Sequence, residues 1–338
     1  MTRSGFGWSL AAGLFVLLAL AIASVLKGTT ALPLPTVMAA LAGSWSHSLG
    51  LPQTSHTLLA IVVDLRVPRV LLAILVGAGL AVAGVLLQTV TRNDLADPFL
   101  FGLSSGASAG AVAVITTTGE MFGIWTLPMA ALAGGLLSGL SVLIIFHKST
   151  AQGSEKMILA GLASSFLFGA LTHYLVFAGD QRAAHSVLFW TLGGLGLARW
   201  DNLLLACGGL AALLCFAASR RHALDALLAG DETAQSLGIS PKRLRTQVFA
   251  VCAAATACFV ALTGVIGFVG LMIPHLVRGH CGALHGRLLA ASALTGAILL
   301  LSSDLLSRIL LAPQELPVGI ITAALGGVFV IFLVLRKS

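Results

Sequence analysis

The sequence predicts an all-α polytopic membrane protein with about ten transmembrane helices. Two observations carry that prediction. Of 338 residues, 58% are hydrophobic and only 9% are charged, and the mean hydropathy is +1.02. Soluble domains of this length do not have that composition. The apolar residues also fall in long runs with glycines scattered through them, the pattern of spanning helices and not of short alternating barrel strands. The net charge of +7 fits Lys/Arg-rich cytoplasmic loops and gives no reason to invoke nucleic acid.

A span needs about 20 apolar residues. Runs of that kind lie at 8–26, 70–90, 98–116, 124–146, 157–178, 197–218, 248–264, 267–277, 288–309 and 316–335. The eighth is short and fits a re-entrant or tilted segment. An even number of spans places both termini on one side. With the N-terminus inside, 13 of the 19 basic residues fall on inner segments: Arg3, Arg92, Lys148, Lys156, Arg220, Arg221, Lys242, Arg243, Arg245, Arg278, Arg287, Arg336 and Lys337. The other six are Lys27, Arg66, Arg69, Arg182, Arg199 and Arg308. This bias predicts cytoplasmic termini. The run at 8–26, preceded by Arg3 alone, reads as an uncleaved first span more readily than as a signal peptide.

In chain order, residues 28–65 are polar enough to lie along the outer surface, with helix beginning near His56. LRVPR at 65–69 then brings two arginines to the mouth of the second span. Taken alone, Arg66 and Arg69 fit ordinary interfacial side chains as well as a binding role, and Pro68 suits a helix start. Gly77, Gly79 and Gly84 suit close helix packing in lipid. Gln88 fits either a satisfied packing residue or a pore lining. TRNDLADP at 91–98 reads as a tight inner turn, with Asn93, Asp94 and Asp97 as turn and cap residues. Gly102, Gly106 and Gly110 recur every four residues, which favours close packing over a weakly polar path wall. No Walker A pattern occurs, so any ATP would be hydrolysed by another subunit.

His173 and Tyr174 read as interfacial. FWTLGGLGLARW at 189–200 reads as a surface helix that turns at glycines into the sixth span. The five cysteines, Cys207, Cys215, Cys252, Cys258 and Cys281, have no CxxC partner and read as small buried packing residues. His275, His280 and His285, spaced five apart, do not share a helical face and have no clear acidic partner in sequence, so a metal role is not expected. Asp304 and Arg308 can form an i,i+4 pair near the end of the ninth span. No acid stands mid-span, which counts against an ion-coupled carrier. No HExxH, GxSxG or paired carboxylate supports an intramembrane enzyme.

The longest polar interruption of the second half is 220–245, with five of the 19 basic and three of the 12 acidic residues. Leu224, Leu227 and Leu228 share one face and Ala234 and Leu237 another, while Gly230 and Gly238 stand where short helices would stop. Its apolar side must cover either its own bundle or a soluble partner.

Taken together, several stretches resemble the permease subunits of the ABC importers for vitamin B12, iron-siderophores and haem, the FecCD-type family. They are LRVPR (65–69), GAGLAVAGVLLQ (77–88), RNDLADPFLFGLSSGA (92–107), FWTLGG (189–194), GDETAQSLGI (230–239), GFVGLMIPHLVR (267–278), SDLLSR (303–308) and ELPVGIITAALGG (315–327). They span nearly the whole chain in the family's order. The resemblance implies a vitamin-B12-importer-like (type II) permease fold, with 1–338 as one transmembrane domain and 220–245 as the cytoplasmic coupling segment. It implies a dimer of permeases, a homodimer or a heterodimer, in the bacterial inner membrane. Two cytoplasmic ATP-binding subunits would bind below and a periplasmic substrate-binding protein above. No cofactor is implied, and the chain would itself be no enzyme. Carried onto this sequence, the docking arginines are Arg66, Arg69 and Arg308. The residues seating the ATPase are Asp231, Glu232, Ala234, Leu237 and Gly238. Asn93, Leu95 and Ser154 close the inner gate. The cargo implied is an iron chelate, siderophore or haem, with cobalamin as the alternative within the family. Two positions depart from the family's pattern: Asp94 and Gly327 stand where Pro is common.

Overall fold

The computed structural model describes residues 3–28, 32–43, 55–119, 121, 123–148, 154–180 and 183–336. Arg182 and Lys337, used above to orient the chain, lie outside the described residues. So do residues 44–54 and 149–153 of two predicted loops. Among the described residues the chain is helical throughout, with no strand.

The first helix, α1 (Arg3–Leu26), is followed by α2 (Leu34–Ala42) and by α3 (His56–Ala60), which Ser55 caps from its side chain. The chain then passes through a π-helical turn, Ile61–Arg66, directly into α4 (Val67–Thr91). His56–Thr91 is thus one 36-residue helix, and Pro68 does not begin a span as the sequence suggests. A proline has no N–H to give the preceding turn, and the widened π turn sits just before it.

Helix α5 (Leu103–Thr117) follows a 3-10 turn over Pro98–Phe101. Next come α6 (Thr126–Lys148), α7 (Ser154–Ala178) and the short α8 (Ala184–Thr191). Helix α9 (Leu203–Leu228) begins later than the predicted sixth span and runs into the polar segment. Only α10 (Asp231–Ser236) is a separate short helix there, because α11 (Pro241–Thr263) already starts at its N-cap Ser240. Helices α12 (Val269–Cys281), α13 (His285–Ile309) and α14 (Val318–Arg336) complete the chain.

Eight of these helices are long and apolar enough to cross a membrane, which makes the chain a multi-pass membrane protein. The other two predicted spans are α5, of 15 residues, and α12, of 13. At about 1.5 Å per residue they reach roughly 20 Å, against an apolar bilayer core of about 30 Å.

Helix α4 is the hub. Its most apolar stretch is 83% buried, against 11% for that of α1. It packs on α13, α9, α11 and α12, while α5, α6 and α7 form a second group joined through α6 to α11. Two close approaches depend on glycine. A Cβ on Gly77 would lie 2.4 Å from the Gly296 carbonyl oxygen of α13, and one on Gly106 would lie 2.4 Å from that of Gly134 on α6. The small-residue stripes are therefore helix-packing faces. The cysteine expectation is corrected in part: Cys252 is buried, but Cys207 and Cys215 face outward from α9.

Candidate functional site

The predicted site residues collect at two opposite ends of the bundle. At one end α1 finishes beside α4 and α13. The last carbonyls of any helix lack intrahelical donors and carry partial negative charge. Two guanidinium groups fill that need. Arg66 donates to the carbonyls of Val25 and Leu26 at 2.7 and 2.9 Å. Arg308 donates to those of Ser24 and Lys27, both at 3.0 Å, and to the Ser24 hydroxyl. Asp304, fully buried, lies 2.8 Å from Arg308, so the i,i+4 pair is present. It also accepts from Arg69 Nε at 2.8 Å, and Arg69 Nη1 reaches Glu315 Oε2 at 2.8 Å.

The structure therefore brings Arg66, Arg69 and Arg308 together, and every one of them has internal partners. Three guanidinium groups face two carboxylates, so the cluster keeps an excess of positive charge. All three arginines, with Glu315, Gly28 and Leu195, line one cavity of about 310 Å³. Arg69 and Glu315 are the accessible members, with side chains 14% and 40% exposed. Nearby, a more apolar cavity of about 500 Å³ is lined by Val114, Ile115, Phe189, Trp190 and Thr263.

At the other end, the last turn of α4 is held at three consecutive residues. Gln88, 2% exposed, donates to the carbonyls of Gly270 and Leu271 on α12, both at 3.2 Å, and accepts from Arg278 at 3.1 Å. It is a packing residue. Thr89 bonds at 2.9 Å to Nε2 of the buried His285, whose Nδ1 lies 2.6 Å from Asp225 on α9. That acidic partner, 60 residues away, is one the sequence reading missed. His280 instead bonds to the Leu276 carbonyl and His275 packs on Phe329. The Val90 carbonyl accepts from Arg245 Nε at 2.9 Å. Arg245 in turn holds Asp231 of α10 through both terminal nitrogens, at 2.9 and 2.8 Å.

Beyond this turn Arg92 adopts a left-handed conformation, φ 50°, and ends α4. Asn93 Oδ1 then accepts the Leu95 N–H at 2.9 Å, which leaves Leu95 exposed. Asp94, where the family pattern has Pro, is held by Arg278. Asp97 caps the following 3-10 turn through the Phe99 N–H at 2.8 Å. Burial pushes its pKa up to about 6, against the smaller opposing effect of the Phe99 and Leu271 amides. Ser154 opens α7, half-buried. On α10, Ala234 is fully buried while Glu232, Leu237 and Gly238 are exposed, Leu237 at 65%. Gly230 and Gly238, both at positive φ, bound the short helix as expected.

Comparison with known proteins gives a consistent set. Residues 16–336 match the model of the FecCD transport family. The hemin transport system permease protein HmuU of Yersinia pestis is 35% identical over 96% of this chain and 94% of its own. The Fe(3+) dicitrate transport system permease protein FecD of Escherichia coli is 38% identical over 84% and 88%. The cobalamin import system permease protein BtuC of Halobacterium salinarum is 37% identical over 92% and 84%. A solved metal-chelate type ABC transporter in an inward-facing conformation superposes with a TM-score of 0.83, at 30% identity over 98% of this chain and 99% of that one.

Proposed function

The chain belongs to the FecCD transport family, and from that premise we propose that it is the membrane-spanning permease of a binding-protein-dependent ABC importer. Its cargo is an iron chelate, a siderophore complex or haem. The observation that carries this reading is the end-to-end match to the hemin permease. The cobalamin relative keeps that ligand as the alternative within the family. The chain performs no covalent chemistry. It supplies a path and a bundle with two arrangements, biased by ATP hydrolysed on another subunit.

On this reading both termini and the α10 end face the cytoplasm, and two permease copies assemble with two ATP-binding subunits. The exposed Glu232, Leu237 and Gly238 form the seat for the ATPase. Buried Ala234 and paired Asp231 hold that seat against the bundle. An apolar Leu237 left open at the C-terminal end of this short helix is what a soluble partner would cover. Asn93, Leu95 and Ser154 lie at the inner gate. At the opposite end, the cavity with Arg66, Arg69 and Arg308 receives acidic side chains of a periplasmic binding protein, since guanidinium groups bind carboxylates through charge-assisted bonds.

Reconstitution tests the reading. The permease with its ATP-binding subunits and binding protein imports the chelate only with hydrolysable ATP. Uptake by the permease alone, driven by an ion gradient, would overturn it. Titration of the partner binding protein with haemin, ferric siderophores and cobalamin identifies the cargo.

A further inference from the structure

We infer that Arg245 is a coupling strut, a positioning residue that carries movement of α10 to the turn at 92–97. The inference rests on the reading of α10 as the ATPase seat and goes beyond it, by naming the route from seat to gate.

Among the described residues, Asp231 makes the only side-chain polar tie from α10 to the rest of the bundle; Thr233 and Ser236 bond only to backbone within four residues. That tie ends on Arg245, whose side chain is 3% exposed. A guanidinium is planar, so its donors have a fixed relative geometry. Here Nη1 and Nη2 take both oxygens of Asp231 while Nε takes the Val90 carbonyl. Val90 lies within the last four residues of α4, where carbonyls have no helical donor. The chain then leaves the helix at Arg92, in a left-handed conformation, and enters the Asn93–Leu95 turn. From the first residue of α10 to the residue two before that exit, the connection is one rigid group with three hydrogen bonds. A lysine offers a single ammonium on a flexible stem and cannot hold all three acceptors in this plane.

The neighbouring ties have a different direction. Gln88 and Thr89 fix the same turn to α12 and α13, inside the bundle. Only the Val90 bond leads out to α10. Among the side-chain hydrogen bonds, a displacement of α10 thus reaches the end of α4 through the Val90 carbonyl, and the two neighbours set how that end pivots.

The test uses the permease assembled with its ATP-binding subunits in nanodiscs, with the five native cysteines replaced and Leu95→Cys introduced. The maleimide labelling rate at that site is measured with and without ATP and vanadate. The parent protein is expected to show a several-fold change on nucleotide trapping. Arg245→Lys should cut it to less than twofold, and so should Asp231→Asn, which changes a half-exposed residue and spares the core. Thermal stability and subunit co-purification are recorded beside it. An unaltered nucleotide response in both variants overturns the strut. So does a parent turn that ignores nucleotide, and so does loss of assembly in both variants, which would mark the pair as plain scaffolding. Leu237→Asp separates the underlying reading: co-purification with the ATP-binding subunits should be lost, and if it persists the α10 seat itself fails.

Discussion

Arg69 and Asp304 meet at 2.8 Å although 235 residues separate them in sequence, and Asp304 is fully buried between Arg69 and Arg308. One carboxylate thus answers two guanidinium groups where α1, α4 and α13 converge. Removing one member of a buried ion pair leaves the rest uncompensated, at a cost of about 3–5 kcal/mol. Asp304→Ala should therefore destabilise the permease by about that amount, read as a fall in the thermal unfolding midpoint in detergent. Glu315→Gln, at an exposed pair, should cost no more than about 1 kcal/mol. Equal effects of the two would contradict the assigned burial.

Asp97 gives a pH signature of stability. Its folded pKa, about 6, stands above the ordinary carboxylate value of 3.8. The native state therefore holds this proton more tightly than the unfolded chain. The stabilising contribution is complete below about pH 4 and is lost as the pH rises through about 6. At pH 7.5 the wild type carries an ionised buried carboxylate that an asparagine would not. Asp97→Asn keeps an acceptor for the Phe99 N–H. Its stability relative to wild type should then be greater at pH 7.5 than at pH 5, by roughly 1.4 kcal/mol. A pH-independent difference between the two proteins would rule this out.

The parts of the architecture that were legible in the sequence are those that composition and periodicity encode. Apolar runs located the long helices, and glycines at regular spacing marked faces such as Gly77 and Gly106 that pack at backbone distance. The short lengths of α5 and α12 and the continuous helix through the π turn were not legible, because hydropathy does not report where a helix stops inside an apolar run. The arginine cluster was legible only through the family resemblance; spacing alone does not decide between interfacial side chains and a binding role for Arg66 and Arg69. What no local pattern carries is long-range pairing. Asp225 with His285, and Asp304 with Arg69, join residues that nothing in their own neighbourhoods connects. A usable signal was nevertheless present, since a charge embedded beside apolar sequence, as at Asp304 or Arg245, needs a partner somewhere.

Glycine packing can be tested by contrast. Gly106→Val would place side-chain atoms against the Gly134 carbonyl and Ser138, so α5 and α6 would have to separate. Overpacking of this kind costs about 1–3 kcal/mol. Gly208 on α9 has nothing within 4 Å of an added Cβ. Gly208→Ala should be neutral or stabilise the helix by up to about 1 kcal/mol. Thermal unfolding of the two variants side by side should rank them in that order, and a reversed order would refute the packing account.

The docking proposal makes its sharpest prediction at Glu315. Its carboxylate occupies Nη1 of Arg69, the most accessible nitrogen-bearing side chain of the three-arginine cavity. An acidic side chain arriving from a binding protein would compete with it for that donor. Glu315→Gln removes the competing charge and leaves Arg69 paired to Asp304 alone, so the cavity becomes more positive. Affinity for the binding protein at low salt should then rise several-fold, and the gain should shrink as added salt screens it. Arg69→Met should lower the affinity in the same assay. If Glu315→Gln instead weakens docking, Glu315 is itself a contact for the partner and the cavity does not accept carboxylates in the way proposed.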